Sequence, residues 1–231
     1  MPSQKQIILC LNSGSSSFRF ALYCLSEREE RLAEGAVERI GLTHGRLWIR
    51  GADRGLMIDS QRDFPSHEAA IAEISEVAKQ IGFLPPDAAG HRVVHGGPDH
   101  FSAERVDAQL LEQLRRLIPF APLHLPSAIV GIEAVAAHYP GLPQVACFVT
   151  AFHRRMPEIA QRFPLPRDLW ERGIRRYGFH GLSYEYIMDK LGPDVRPRLL
   201  IAHLGNGASL AAVLNRQPMD TTMGLTPTED S

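Results

Sequence analysis

The chain has 231 residues, 44% of them hydrophobic, and a formal net charge of -1 at pH 7. This length and apolar fraction suffice for one large domain or two modest domains, each with a buried core. The near-neutral charge gives no electrostatic basis for binding nucleic acid or an anionic membrane, and no 18-residue apolar run is present that could span a bilayer.

The N-terminus and the cysteines favour a cytoplasmic protein. Residues 1–6 lead directly into an apolar run, without the hydrophobic region and small-residue cleavage site of a signal peptide. Cys10, Cys24 and Cys147 are odd in number and widely spaced. That pattern favours reduced thiols over disulfides or a zinc site, so we expect a cytoplasmic location.

The first predicted structure is a hairpin with a turn of small residues. An apolar run at 7–11 is followed by Asn-Ser-Gly-Ser-Ser-Ser at 12–17 and by an alternating run at 18–23. A strand, a small-residue turn and a second strand can bring backbone N–H groups and hydroxyls against a phosphate chain. An ordinary serine-rich hairpin has the same pattern, so the turn alone leaves both readings open.

Strands and helices then alternate along the chain. Ser66 and Asp107 are predicted helix caps, and Pro126 is predicted to open a further helix that stops before Pro140. The first of these helices is expected to end near Gly82. Predicted strands lie at 32–37, 47–51, 91–94, 145–148 and 199–202. The alternation indicates an α/β protein, with a possible domain boundary in the Pro- and Arg-rich segment 153–175.

Two further turns strengthen the phosphate hypothesis. His-Leu-Gly-Asn-Gly-Ala-Ser at 203–209 lies between a predicted strand and an alternating run, and Asp-Thr-Thr-Met-Gly occupies 220–224. Glycine allows close backbone approach, and the side chain of Asn206 offers both a donor and an acceptor. Three such turns predict a cleft in which two strand–turn–strand units face one nucleotide.

Seven sequence blocks resemble the acetate kinases, within the larger fold shared by sugar kinases, heat-shock chaperone ATPases and actin. In the family's order and spacing, the blocks are 11–17, 91–97, 121–124, 150–153, 175–181, 203–209 and 220–227. The resemblance implies an α/β fold with an actin-like, ribonuclease H-like domain over 1–150, a mixed sheet flanked by helices. It also implies an incomplete second domain of the same type over 151–231, which would bind nucleotide.

The resemblance implies phosphoryl transfer between ATP and acetate or propionate, giving acetyl phosphate and ADP. It further implies a Mg²⁺ or Mn²⁺ cofactor and a homodimer, with small-molecule substrates and neither nucleic acid nor membrane as partners. Catalysis of this kind depends mainly on positioning and on electrostatic stabilisation of the transferring phosphoryl group.

The resemblance also implies roles for individual residues. His180 and His124 match catalytic histidines, and Asn12 matches the asparagine near the metal. The matched substrate residues are Arg92, Val94, Leu123, Phe179 and Pro227. The matched ATP-binding residues are Arg19, Ser15, Ser17, His203, Leu204, Gly205, Asn206 and Gly207. Any one of these histidines, taken alone, could instead be a structural residue with satisfied hydrogen bonds.

Three departures from the family pattern bear on activity. Val149 stands where the family has an active-site aspartate, and valine can neither accept a proton nor carry charge. Arg19 replaces the usual lysine beside the phosphate loop, so a broad planar guanidinium replaces a compact ammonium group. Leu125, Leu182 and Tyr184 replace an asparagine, a threonine and a histidine.

Family members also continue beyond the last block, whereas this sequence stops at Ser231. We therefore expect it to lack a second catalytic arginine, a magnesium-associated glutamate, most of the adenosine pocket and a last helix that returns to the N-terminal domain. Two function classes stay open. The chain is either an acetate kinase-type enzyme or a catalytically inactive fragment that at most binds a nucleotide or a partner.

Overall fold

A computed structural model describes residues 5–227 and divides them into two compact units. The first unit extends to Arg92 and also includes 105–115 and 123–146. The second unit comprises 93–104, 116–122 and the residues from Cys147 onwards. The chain therefore passes between the units repeatedly. The predicted division into 1–150 and 151–231 stays a prediction.

The first hairpin consists of β1 (Gln6–Ser13) and β2 (Ser17–Leu25), paired antiparallel. Alternate residues of both strands are buried, as the apolar pattern predicts. The backbone N–H of Gly14 donates to the carbonyl of Ser17 at 2.8 Å and closes the turn. The Nε2 atom of His67 lies 2.9 Å from the carbonyl oxygen of Gly14, and this contact holds the turn in place.

The hairpin belongs to an eight-stranded mixed sheet. The other strands are β3 (Glu29–Glu38), β4 (Arg46–Gly51), β5 (Leu56–Gln61), β6 (Ala88–Val93), β7 (Glu104–Arg105) and β8 (Gln144–Phe148). The strand order is β5-β4-β3-β2-β1-β6-β8-β7, with β1 and β6 parallel. A mixed sheet with helices confirms the predicted fold class, although β5 and β7 carry no clear sequence signal.

Three helices follow the predicted start signals. They are α1 (His67–Gln80), α2 (Ala108–Arg116) and α3 (Leu125–His138). The Ser66 hydroxyl accepts from the Ala69 N–H at 3.2 Å, and the Asp107 carboxylate accepts from the Leu110 N–H at 2.8 Å. Both are N-terminal caps, which satisfy donors that a helix leaves unpaired. Helices α1 and α3 contribute to the apolar core of the sheet.

The second unit contains a three-stranded antiparallel sheet and short helices. Its strands are β9 (Arg198–His203), β10 (Ser209–Leu214) and β11 (Gln217–Thr221), in the order β11-β10-β9. Its helices are α4 (Glu158–Gln161), α5 (Arg167–Glu171) and α6 (Gly181–Leu191), with 3₁₀ turns at Ile118–Phe120 and Ala151–Arg155. Phe152, Tyr184, Met188 and Ala211 lie in its core.

All three cysteines lie in the described part of the chain and are thiols rather than disulfides, with Cys24 buried. Across residues 5–227, no helix combines the length and the apolar character that crossing a membrane requires. The expectation about a signal peptide concerns 1–6, of which 1–4 lie outside the described residues.

Candidate functional site

In the first unit, three polar side chains meet at the ends of adjacent strands. Asn12 at the end of β1 pairs directly opposite Arg19 of β2. Arg92 of β6 places Nη1 3.4 Å from the Asn12 Oδ1, a long contact for a hydrogen bond. Because β1 and β6 are parallel neighbours, their carboxyl ends fall at the same edge of the sheet. The Arg92 guanidinium therefore lies beside the Asn12 amide, and Arg19 is the residue opposite Asn12 on the neighbouring strand.

His124 lies beside Arg92 and caps α3. Its Nδ1 is buried and has no hydrogen-bond partner in the described residues. Burial, and then the positive charge of Arg92, lower the pKa of His124, so the imidazole is neutral at pH 7. Burial also lowers the pKa of Arg92. The cluster is cationic through its arginines and suits a carboxylate or a phosphate.

The turn residues of the first hairpin differ in their surroundings. Ser15 is exposed, whereas Ser17 opens β2 and is partly buried. Ser13 lies against α3, where a Cβ added at Gly131 would overlap the Ser13 hydroxyl. The absence of a side chain at Gly131 therefore lets α3 approach the turn closely. Leu123, matched to the substrate pocket, is 71% exposed.

In the second unit, His180 occupies an unusual backbone position. It precedes α6 with φ 58° and ψ 17°, the left-handed region that non-glycine residues enter only rarely. Its Nδ1 lies 2.8 Å from the Ser209 hydroxyl, which also contacts the hydroxyl of the buried Tyr184. Such conformations cluster at functional sites, where surrounding contacts hold them in place.

The glycine-containing loop at 203–207 lies directly against His180. The His203 and His180 rings stack with centroids 3.9 Å apart and 17° between their planes. A Cβ added at Gly207 would lie 3.5 Å from the His180 ring, and the Ser183 hydroxyl lies 3.1 Å from His203 Nδ1. Residues 204–207 are exposed, with Leu204 at 80%. The predicted phosphate loop and the predicted catalytic histidine are thus neighbours.

Val149 supplies backbone contacts to the same region. Its N–H donates to the Val93 carbonyl at 2.9 Å, and its carbonyl accepts from the N–H of Gly181 at 2.9 Å. A side chain at Gly181 would overlap that carbonyl oxygen. The valine is 1% exposed, so the position where the family has an aspartate is apolar and buried.

The remaining matched substrate residues of the second unit are mostly apolar and buried. Val94 is 4% exposed and Phe179 is 1% exposed, while Pro227 is partly buried. The Phe179 ring lies 5.6 Å from the His95 ring, and its carbonyl is hydrogen-bonded to His153. These contacts fix Phe179 in a well-packed interior.

Sequence reasoning missed the hydroxyl groups that orient these histidines. Ser183 and Ser209 hold His203 and His180 respectively, and Tyr184 joins the second pair. Tyr184 was noted only as a departure from the family. Ser209 ends a motif block, but its partner His180 is 29 residues away. No local spacing signals such a pair.

The described residues offer few ligands for the metal that the resemblance implies. Between residues 5 and 227, no group of three or more His, Cys, Asp or Glu side chains is arranged to hold a metal ion. The Asn12 amide oxygen faces the cationic Arg92. Because Mg²⁺ prefers carboxylate oxygens and phosphates, these residues do not form a magnesium site by themselves.

Comparison with known proteins gives one consistent result. The model of the acetokinase family matches residues 7–230. An acetate kinase from Ectopseudomonas mendocina is 41% identical over 230 residues, and one from Deinococcus radiodurans is 42% identical over 229 residues; each alignment covers 96% of this chain. The alignments cover 57% and 56% of those proteins.

Solved structures show the same relationship. A Porphyromonas gingivalis acetate kinase has a TM-score of 0.86 at 36% identity, and a Francisella tularensis propionate kinase has 0.88 at 35%. Both superpositions cover 96% of this chain and 58% of the other. The chain thus spans little more than half the length of the relatives it matches. With a family model matched over nearly its whole length and the same fold as solved members, this chain belongs to the acetokinase family.

Proposed function

We propose that the chain carries part of the machinery for phosphoryl transfer between ATP and acetate or propionate, which gives acetyl phosphate and ADP. The observation that carries this proposal is the stack of His180 on His203, with Gly207 beside it. It sets a histidine fixed by a hydroxyl against an exposed, glycine-containing loop of the kind that approaches phosphates.

In the first unit, the proposed role is carboxylate binding. Arg92 offers a planar fork that matches a carboxylate, Asn12 lies beside it, and Arg19 is the residue opposite Asn12 in the sheet. His124 is neutral at pH 7 and adds no charge, so the affinity for the anion comes from the arginines. The N-terminus of α3, which begins after His124, adds a favourable field for a negative group.

In the second unit, the proposed role is phosphate binding. Residues 204–207 lie at the surface, and His180 is held by Ser209 in a fixed orientation. A fixed donor near a transferring phosphoryl group stabilises charge without rearranging during the reaction. Asn206 would contact the nucleotide phosphates as a further donor.

Other features expected from the resemblance are also proposals. Mg²⁺ or Mn²⁺ would arrive with the ATP phosphates, since the described residues supply no site of their own. The homodimer and the cytoplasmic location rest on the resemblance and on the cysteine pattern.

A second candidate function is favoured by Val149. An inactive chain that binds a nucleotide or a carboxylate without turnover would have the same family membership and fold. The buried valine removes the group that would act as an acid or base at this position.

Two measurements on the purified 231-residue chain separate the candidates. Hydroxamate trapping detects acetyl phosphate made from ATP and acetate, and calorimetry detects ATP binding. We expect weak binding that His180→Ala reduces and little or no acetyl phosphate. Unchanged nucleotide binding in His180→Ala would contradict the proposed role of the loop, and ordinary kinase turnover would contradict the inactive alternative.

A further inference from the structure

A second cationic cavity lies wholly within the second unit. Its volume is about 280 Å³, and Arg154, Arg175 and Arg176 line it together with Trp170, Tyr177 and His153. Among its described lining residues, Glu158 carries the one carboxylate, which is already ion-paired with Arg162. The cavity is therefore positively charged, and none of its lining residues belongs to the proposed phosphoryl-transfer machinery.

Two arginines of this cavity have incomplete hydrogen bonding. The Nε atoms of Arg175 and Arg176 are buried and find no acceptor in the described residues. Arg175 lies over the Trp170 ring at 4.3 Å, which fixes the guanidinium plane without using its N–H groups. Arg176 is anchored through Nη1 by the Thr221 carbonyl at 2.7 Å and by the Asp220 carboxylate at 3.3 Å, which leaves its Nε–H unused. Both forks are thus held in place with donors unused.

His153 contributes a hydrogen-bond acceptor, whereas the arginines contribute donors. It is 1% exposed, and its Nε2 lies 2.9 Å from the Phe179 carbonyl oxygen. A carbonyl only accepts, so Nε2 carries the proton and Nδ1 presents a lone pair. That Nδ1 is buried and has no donor in residues 5–227. Burial lowers the pKa of His153 to about 4, so the ring stays neutral at pH 7.

The cavity therefore combines fixed cationic donors with one unsatisfied acceptor. A simple anion would satisfy the guanidinium groups and leave His153 Nδ1 without a donor. We propose that this cavity binds a small oxyanion that keeps an O–H group, with its charged oxygens on Arg175 and Arg176 and its hydroxyl donating to His153. Hydrogen phosphate and 2-hydroxycarboxylates share this chemistry.

The test uses calorimetry on the intact chain near neutral pH, with four probes: inorganic phosphate, sulfate, glycolate and acetate. Sulfate and acetate lack the O–H group of their partners. We expect phosphate, glycolate or both to bind at least about tenfold more tightly than the matched probe without the hydroxyl. Binding of phosphate alone identifies an inorganic ligand, and binding of glycolate alone identifies a hydroxy acid. Equal binding of the matched probes would overturn the role of His153.

Variants locate the binding. Arg175→Gln should weaken it at least about tenfold, whereas Arg155→Gln, a matched change at an exposed residue outside the cavity, should leave it unchanged. The same comparison is made in the Arg92→Gln background, which removes acetate and glycolate binding at the proposed carboxylate site of the first unit, so that the binding that remains reports on the cavity. Equal binding by Arg175→Gln and the unmodified chain would overturn the proposal.

A measurement on the unmodified chain covers the case in which Arg175→Gln fails to fold. The NMR signals of the Arg175 Nε–H and the His153 ring should shift as phosphate or glycolate is added, and the Arg155 Nε–H signal should not. Saturating ligand without a shift at Arg175 and His153 would contradict the site.

Discussion

The His180 imidazole stacks on the His203 imidazole at a centroid distance of 3.9 Å, although the two residues come from different elements. A left-handed backbone conformation at the start of α6 places the His180 ring in this position. Ring position and backbone strain are thus linked at one residue, and two substitutions can separate them.

His180→Asn and His180→Val both remove the ring stack. Asparagine tolerates the left-handed region, whereas a β-branched side chain is a genuine outlier there. We expect both variants to lose nucleotide binding, and His180→Val to be less stable than His180→Asn by about 1–2 kcal/mol. Urea unfolding followed by circular dichroism measures the difference. Equal stability of the two variants would show that the conformation at this position carries no strain.

The pKa of His124 reports on its distance from Arg92. Burial is the first cause of the lowered pKa and the charge of Arg92 the second. Arg92→Gln should therefore raise the His124 pKa without returning it to the usual histidine value of 6.5, because the burial remains. NMR titration of the ring protons measures this, with the exposed Arg50→Gln as a matched control. A His124 pKa that is the same in both variants would separate the two residues and weaken the proposed carboxylate site.

Gly131 sets how closely α3 approaches the first hairpin. A Cβ there would overlap the Ser13 hydroxyl and lie 2.9 Å from the Ser13 Cβ and 3.2 Å from the Phe18 ring. We expect Gly131→Ala to destabilise the chain by about 1–3 kcal/mol, as overpacking of a core usually does. Adding Ser13→Gly should restore part of the loss.

Denaturant unfolding of the two single variants and the double variant measures that coupling. Gly141→Ala is not a suitable control, because Gly141 has φ 81°. Gly90→Ala is suitable, since no atom lies within 4 Å of the added Cβ. Strictly additive effects of Gly131→Ala and Ser13→Gly would mean that α3 relaxes away from the turn instead.

These elements show which parts of the structure the sequence could predict. Ser66, Asp107 and Pro126 predicted helix starts because a cap acts within three residues of itself, and the apolar alternation of β1 and β2 predicted the hairpin. Strand β5 was missed because its side chains are mostly exposed and carry no apolar alternation. Helices α4 and α5 have four and five residues, too few for a helical period to appear.

The candidate site also contains residues that the sequence predicted and residues that it did not. Motif blocks identified His180, His203 and Arg92, because their residue types lie in ordered local patterns. The hydroxyl partners were not predictable, since the Ser209 contact to His180 joins residues far apart in sequence. The exposure of Leu123 was equally unpredictable from the sequence, because a leucine beside a motif histidine does not indicate which way its side chain faces.

Acid stability should depend on buried histidines. His91 is 2% exposed, with Nε2 2.6 Å from the Gln144 amide oxygen, and burial lowers its pKa to about 4 from the usual 6.5. The unfolded chain therefore binds a proton at this residue more readily than the folded chain. The free energy of unfolding should fall as pH falls from about 6.5 to about 4, by up to about 1.4 kcal/mol per pH unit for this residue.

His91→Gln removes this titration while keeping a polar side chain. We expect its stability to depend less steeply on pH over that interval, whatever its absolute stability. Urea unfolding at a series of pH values gives the slope, with the exposed His44→Gln as the control. An unchanged slope in His91→Gln would mean that His91 titrates alike in the folded and unfolded chain.

Val149→Asp should not restore acetate kinase activity to this chain. The position is 1% exposed, so a carboxylate placed there has to be paired or protonated, and the folded chain should lose stability. The chain also spans only 57% of the matched Ectopseudomonas mendocina protein. The unmatched part of that protein has no counterpart among these 231 residues. Catalytic groups that act as a unit do not contribute additively, so returning one of them alone recovers little.

A chimera tests this directly. Val149→Asp is combined with a fusion that adds the remaining part of the Ectopseudomonas mendocina acetate kinase, and acetyl phosphate is trapped as the hydroxamate. We expect turnover at ordinary kinase rates only when both changes are present, because the carboxylate and the unmatched part are then restored together. The fusion that keeps Val149 is the matched control, and loss of a single catalytic group there should lower the rate on the order of 10²–10⁴-fold. If Val149→Asp alone restored turnover at ordinary kinase rates, the described residues would already hold everything else that the reaction needs.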